Sequence, residues 1–451
     1  MNQSPTAISL FSSGGIGDLA LNAAGAKVLV ANEIVPERVS LFRRNFPETR
    51  MIEGDIWSRK DEIIRSTRAA LGDRTLDIML ASPPCQGMSK NGRGKLLWEI
   101  RNNGRAPMDP RNQLIIPALQ IAQALQPRLV VFENVPEMER TAIMDPESGE
   151  LIGILDYAKR ALGPSYAGSW RTLEFADYGV PQNRQRLITI FTRETSILQA
   201  LREGRATLHP DPTHSSTGSN GLPRWRSVRD TIGGLEPLDA RSADSARSKT
   251  NPLHFVPLLD QDKYFWVSNT PEGSSAFDNQ CVNPSCGFDA NQTHRASRTK
   301  EGINRASCET PIRCERCNSV LPRPWVRVDG DFRLMKGFTS AYRRMDWDKP
   351  ATTLTRNFPY ACSDKKIHPS QNRTLSIYEA MLLNTISDHD YTWELADRKP
   401  APKKVIYDVI GESIPPRPLQ IVFEHLIQLL QGKEQKVGST PLQCKLTLSE
   451  N

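Results

Sequence analysis

The stretch Leu76-Asp77-Ile78-Met79-Leu80-Ala81-Ser82-Pro83-Pro84-Cys85-Gln86-Gly87-Met88-Ser89 decides how the chain is read. Its first six residues have the length and apolar character of a short buried strand. Two prolines then fix the backbone ahead of a cysteine. A side chain displayed just past a strand end stands at the edge where open α/β sheets place their chemistry. Taken alone, Cys85 reads equally well as a buried structural thiol. A second apolar run, Leu129-Val130-Val131-Phe132, ends in Glu133-Asn134-Val135. A nucleophile at one strand tip and a carboxyl at another can face the same crevice.

Outward from these two runs, the first 200 residues alternate strand and helix patterns. Ile8-Ser9-Leu10-Phe11 reads as a strand and is followed by the small-residue turn Ser12-Ser13-Gly14-Gly15-Ile16-Gly17. Asp18 to Ala24 reads as a helix stopped by Gly25, and Val28-Leu29-Val30-Ala31 as a strand closing on Asn32-Glu33. A helix from Pro36 to Asn45 comes next, then Met51-Ile52 and the turn Glu53-Gly54-Asp55. This βαβ rhythm predicts an α/β fold with a mainly parallel sheet. Glycines after the first strand let a backbone approach a nucleoside cofactor, and acids ending the next two strands suit ribose hydroxyls. The plainer alternatives remain open: Phe11 as core, and the two acids as helix caps.

In order, Phe11-Ser12-Ser13-Gly14-Gly15, Glu33, Asp55, Pro84-Cys85-Gln86, Glu133-Asn134-Val135 and Gln182-Asn183-Arg184-Gln185-Arg186 resemble the DNA cytosine-5 methyltransferases. So do Pro350-Ala351-Thr352-Thr353-Leu354-Thr355 and Gly411-Glu412-Ser413-Ile414-Pro415-Pro416. The resemblance covers about residues 6–192 and 340–430. It implies a Rossmann-like, S-adenosylmethionine-dependent methyltransferase fold with a smaller target-recognition domain inserted in it. The implied division is a catalytic part over 1–205, the recognition domain over 206–345, a return to the catalytic fold over 346–432, and a polar tail over 433–451.

The resemblance also implies the chemistry. Addition of the Cys85 thiolate to cytosine C6 turns the C4–C5–C6 unit into an enamine, and C5 then attacks a methyl sulfonium. Glu133 hydrogen-bonds or protonates N3, relieving the charge that develops during addition. Arg184 and Arg186 brace the base, which must be flipped out of the duplex to reach Cys85. For S-adenosyl-L-methionine, Phe11 stacks on adenine, Glu33 takes the ribose hydroxyls and Asp55 the adenine amino group. Ser13, Gly15, Ile16, Ile56, Pro84, Glu412 and Ser413 complete the implied cofactor site. Two of these depart from the family: Ser13 replaces a glycine, and Glu412 replaces an asparagine near the methionine moiety. Between Gly87 and Asp109 the family has a mobile loop that closes over DNA, and Lys90, Arg93, Lys95, Arg101 and Arg105 suit that task.

The middle of the chain has a different texture. Between Cys281 and Met345 twelve Lys/Arg face six Asp/Glu, so this segment carries +6 of a net charge of +7. Such an excess is the footprint of a polyanion-binding face. Cys281 and Cys286, then Cys314 and Cys317, form two close pairs with 27 residues between them. That spacing predicts a structural zinc site (281–317), with Cys308 or His294 able to replace one ligand. The eight cysteines are unevenly spaced, which suggests metal and catalysis rather than disulfides.

Composition bounds the rest. The chain has 451 residues, 38% hydrophobic and 24% charged, enough for two or three domains with a sizeable core. No run of about 18 apolar residues suggests a membrane span, and no secretory signal opens the chain. The expected partner is double-stranded DNA, bound by a monomer in the cytoplasm at the nucleoid, with a cognate restriction or defence nuclease as a possible companion. Two rivals stay open at this point: an RNA (tRNA) cytosine-5 methyltransferase on the same scaffold, and a non-catalytic DNA-binding reader.

Overall fold

The computed structural model of the chain describes residues 4–84, 109–219, 221–293, 296–298, 304–306, 310–335 and 340–433. Cys85, residues 87–108, His294, Cys308 and the tail from residue 434 lie outside the described residues.

Seven strands form the central sheet: β1 (Thr6–Leu10), β2 (Lys27–Glu33), β3 (Arg50–Glu53), β4 (Ile78–Ala81), β5 (Leu129–Asn134), β6 (Ala167–Glu174) and β7 (Gln185–Thr192). Their spatial order is β3-β2-β1-β4-β5-β7-β6. The strands from β3 to β5 run parallel, and β7 is antiparallel to both β5 and β6. The order reverses between β1 and β4, so their carboxyl ends open a crevice at the switch point.

Successive residues of each strand pack on opposite faces, as the pleat requires. Ile8, Leu10, Met79, Ala81, Val130 and Phe132 face one core, shared with α3 (Ile56–Leu71), α4 (Ile115–Leu125) and α5 (Ile154–Leu162). Ala7, Ile78, Leu80, Leu129 and Val131 face the other, shared with α1 (Ile16–Ala23) and α7 (Pro416–Leu430). With both faces covered, the strands read as continuous apolar runs, which is why they were legible. The sequence places Leu419, Val422, Phe423, Leu426 and Leu430 at helical spacing in the last helix; the first four are fully buried and Leu430 is partly buried.

The insert has its own small core, built on Trp266, Phe277, Trp325 and Tyr342. Packing crosses the expected bounds of 206–345 in both directions. Val228 and Ile232 pack with the catalytic side, while Ala361 and Ile367 join the core of the insert. The sequence from Lys349 to Arg356 reads as a strand, but only Ala351–Thr352 forms one, paired with Gln182–Asn183. Side chains take over the backbone groups beyond it. Gln182 Oε1 accepts from Leu354 N (2.9 Å), and Arg184 donates to Leu354 O (2.8 Å).

The returning segment lies directly on α6 (Lys403–Glu412). A Cβ on Gly411 would sit 2.0 Å from Arg356 N and 2.3 Å from Thr355 C. Both are backbone atoms with no rotamer to yield. Gly411→Ala is therefore expected to cost about 2 kcal/mol or more of stability, read as a lowered thermal midpoint. An unchanged midpoint would contradict this close approach.

Candidate active site

The turn after β1 is built from left-handed residues: Phe11 (φ 60°), Ser13 (φ 50°) and Gly15 (φ 87°). Such a conformation is strained for a bulky side chain such as Phe11 and marks sites where the surroundings overrule local preference. The preference for glycine at position 13 thus has a backbone reason, and Ser13 bears the strain. Gly15 caps α1, and a Cβ there would meet the Phe46 ring at 2.2 Å.

This turn opens on a cavity of about 880 Å³ at the carboxyl ends of β1 to β5. Phe11, Ser13, Glu33, Asp55, Ile56, Pro84, Glu412 and Ser413 all line it, together with Glu133, Arg184 and Arg186. Gly15 and Ile16 do not; Ile16 is fully buried in the core beside α2 (Pro36–Asn45). Among these site residues, Cys85 alone lies outside the described residues.

Glu33, Asp55 and Glu412, three acids on the wall, are each held in place. Glu33 Oε2 accepts from Ser13 N (2.9 Å), and Oε1 accepts from Ile34 N (2.8 Å) and Val35 N (2.9 Å). Asp55 caps α3 by accepting from Trp57 N at 3.1 Å while still facing the cavity, so cap and wall are one residue. Glu412, whose extra negative charge was the sequence's main departure, is paired with Arg38 at 2.7 Å and lies 3.9 Å from Arg356. Its charge is thereby balanced within the protein.

At the β4 and β5 tips, Asn134 is almost fully buried and donates from Nδ2 to Pro83 O (3.1 Å). It fixes the proline segment that leads to Cys85. Glu133 pairs with Arg186 (Nε to Oε1, 3.0 Å). Burial nevertheless holds its carboxyl above the ordinary carboxylate range, outweighing Arg186, Arg184 and the Ser82 hydroxyl. Arg184 is different in kind. It is 1% exposed, and its guanidinium donates to Leu354 O and Ser413 O, both at 2.8 Å.

Ile34, Arg38, Arg356 and Asp18 are among the wall residues that the sequence did not single out. Ile34 leaves an apolar side chain 59% exposed, and Arg38, Arg356 and Asp18 also line the cavity. Ile34 had a signal, since it follows Glu33 directly. The other three depend on folding to arrive there.

In the insert, the sulfurs of Cys281, Cys286, Cys314 and Cys317 all lie within 4.8 Å of one another, with Cys281–Cys317 at 3.6 Å and Cys286–Cys314 at 3.8 Å. Asn283 Nδ2 donates toward Cys317 Sγ at 3.7 Å. Two of the twelve cations counted from sequence are consumed inside. Arg323 donates to the carbonyls of Asn279, Gln292 and Pro311, and Arg344 to those of Val267, Thr270, His368 and Gln371. Burial draws both guanidinium groups down to about 10. Arg313, Arg316, Arg327 and Arg333 remain exposed.

The family profile described as C-5 cytosine-specific DNA methylase matches residues 6–428. The Type II methyltransferase M1.HgaI of Avibacterium volantium is 27% identical over 425 residues, spanning 92% of this chain and 96% of that one. M1.HphI of Haemophilus parahaemolyticus, also a Type II methyltransferase, is 24% identical over 94% of this chain and 87% of its own. A solved prophage-encoded protein of E. coli, described as a DNA modification methyltransferase, superposes with a TM-score of 0.55 at 19% identity. It covers 95% of this chain and all of its own, and establishes the shared fold.

The Glu133–Arg186 pair carries a direct consequence. Removing the cation in Arg186→Ala leaves the buried carboxylate less compensated, so its pKa must rise further. Carbon-detected NMR of the Glu133 carboxyl is expected to show titration at higher pH than in the wild type. An unmoved titration would mean that the pair does not hold the charge.

Proposed function

This chain belongs to the C-5 cytosine-specific DNA methylase family, and from that premise we propose how its own residues act as a DNA cytosine-5 methyltransferase. The observation that carries the proposal is one cavity at the switch point, which joins a nucleoside-binding wall to the Glu133–Arg186 pair and to the proline segment before Cys85.

The wall fits S-adenosylmethionine. Glu33 is oriented by three amides to take paired ribose hydroxyls, while Ile34 and Ile56 offer apolar surface to adenine with Asp55 beside its amino group. The cofactor supplies an electrophilic methyl group on a sulfonium. A target cytosine flips into the neighbouring space. The Cys85 thiolate adds to C6, and the electron pair moves to C5, which takes the methyl group. Loss of the C5 proton to solvent then expels Cys85 and restores the aromatic ring. Glu133, held protonated more readily by its burial, offers a hydrogen bond or proton at N3 as charge accumulates there. Arg186 orients that carboxyl. Arg184 acts as a positioning residue that keeps the returning segment and Ser413 against the cavity.

The insert, with Arg313, Arg316, Arg327 and Arg333 outward, is the part that reads DNA. The division into residues 1–205, 206–345 and 346–432 follows this reading, as does action as a monomer on the duplex. The names of the Type II relatives favour a cognate nuclease as companion. The DNA family profile favours DNA over tRNA as substrate, and no helix among the described residues is long and apolar enough to cross a membrane.

A structural Zn²⁺ fits the four cysteines. Sulfurs about 2.3 Å from a tetrahedral zinc stand about 3.8 Å apart, close to the 3.6 and 3.8 Å separations in the cluster. Four thiolates leave no open position, so the ion would stabilise the insert and take no part in methyl transfer.

Two outcomes test these assignments. Cys85→Ala is expected to lose all methyl transfer to duplex DNA in a radiolabelled-methyl assay while retaining DNA binding, since phosphate contacts dominate affinity. Glu133→Gln should be slowed strongly but less completely. Residual transfer in Cys85→Ala above about a few per cent would defeat the covalent route. Elemental analysis should find one zinc per chain, and Cys314→Ser should release it and weaken specific DNA binding while sparing cofactor binding. A metal-free protein that still methylates one defined sequence would remove the zinc.

A further inference from the structure

We infer that Asp18 is the counter-charge that favours S-adenosylmethionine over its demethylated product, acting on the sulfonium from beneath the floor of the cavity. The inference rests on the reading of that cavity as the cofactor site.

Asp18 stands in the first turn of α1 with no exposed surface, yet it borders the cavity together with Ser9 and Leu80. The Ser9 hydroxyl is the polar side chain beside its carboxylate, and no cation among the described residues pairs with it. Five other acids on the wall have partners, and a sixth, Glu37, is exposed to solvent. Glu33 has three amides, Asp55 the Trp57 amide, Glu133 has Arg186, Asp408 has Lys404 and Glu412 has Arg38. A buried carboxylate left without a counter-charge is costly and uncommon, and in a ligand cavity it points to a cation that arrives with the ligand.

The position selects which group. Ser9 and Leu80 are direct partners across β1 and β4, so Asp18 lies under the switch point itself. The methyl group must come to the same place, because β4 runs on through Pro83 and Pro84 to Cys85. The donor carries a sulfonium charge there, and the product does not. Burial raises the Asp18 carboxyl to about 7, with the Ser9 hydroxyl partly offsetting the rise. The other titratable group facing it is Tyr391, which donates to Gly14 O at 2.6 Å and whose own pKa is raised by burial and by the Asp18 charge. A cation over the floor would draw Asp18 into its ionised form, and a unit charge acting through a poorly solvated layer is felt over several ångströms. Methyl transfer erases the sulfonium charge and with it that attraction, which favours product departure.

Calorimetric binding of S-adenosylmethionine, sinefungin and S-adenosylhomocysteine to the wild type and Asp18→Asn at pH 7.5 tests this. Sinefungin carries an ammonium-bearing carbon in place of the sulfonium. The variant is expected to bind the two charged ligands about tenfold more weakly and the uncharged thioether within about twofold of wild type. Parallel weakening of all three, or no change, would overturn the inference. Should the variant not fold, wild-type protein that binds sinefungin no better than the thioether overturns it equally. A wild type that binds none of the three would instead sink the cofactor reading, and this inference with it.

Discussion

A guanidinium with almost no exposed surface holds this enzyme together. Arg184 donates to the carbonyls of Leu354 and Ser413, residues that enter the catalytic fold only after the insert has been traversed. The catalytic body is therefore assembled from chain segments 170 and 229 residues away from Arg184, and one charged side chain pins both. A neutral substitute would leave two carbonyls without donors at a site closed to water, which is why a charge is tolerated there. Gly411 has the complementary part, since it lets the returning backbone lie flush against α6. Everything that lines the cavity from the far half of the chain, including Glu412, Ser413 and Arg356, depends on this junction.

The sheet was legible because buried parallel strands are apolar on both faces, and because each ends in a residue with a task. Runs such as Leu129–Phe132 and the acids Glu33 and Asp55 could be read in order along the chain. The roles of single residues were less legible where one side chain serves two purposes. Asp55 is both helix cap and cavity wall, and Ser13 is strained in its backbone rather than merely small. The strand expected over 349–356 is cut short since Gln182 and Arg184 take its backbone groups, a competition no local pattern reveals. No local sequence pattern marks Asp18 or Arg38 for a role at the cavity. Only the fold brings one beneath the cavity floor and the other against Glu412.

Net charge was the bluntest guide. The basic excess of the insert suggested a polyanion face, yet Arg323 and Arg344 serve as internal pins between loops rich in carbonyls and poor in regular structure. The Asp329-Gly330 turn, with both residues left-handed, instead presents Arg327 and Arg333 on a short exposed hairpin. A recognition domain with few strands and one modest core has to be ordered by such pins and by its cysteine cluster, because burial alone supplies little.

All of this converges on one claim, that the crevice between β1 and β4 methylates C5 of cytosine in DNA. Bisulfite sequencing tests it most directly, applied to DNA from cells that express the protein and have no other cytosine methylation. The expected result is cytosines protected from deamination at a single recurring short sequence. Complete conversion of every cytosine, or protection confined to cellular RNA, would contradict it.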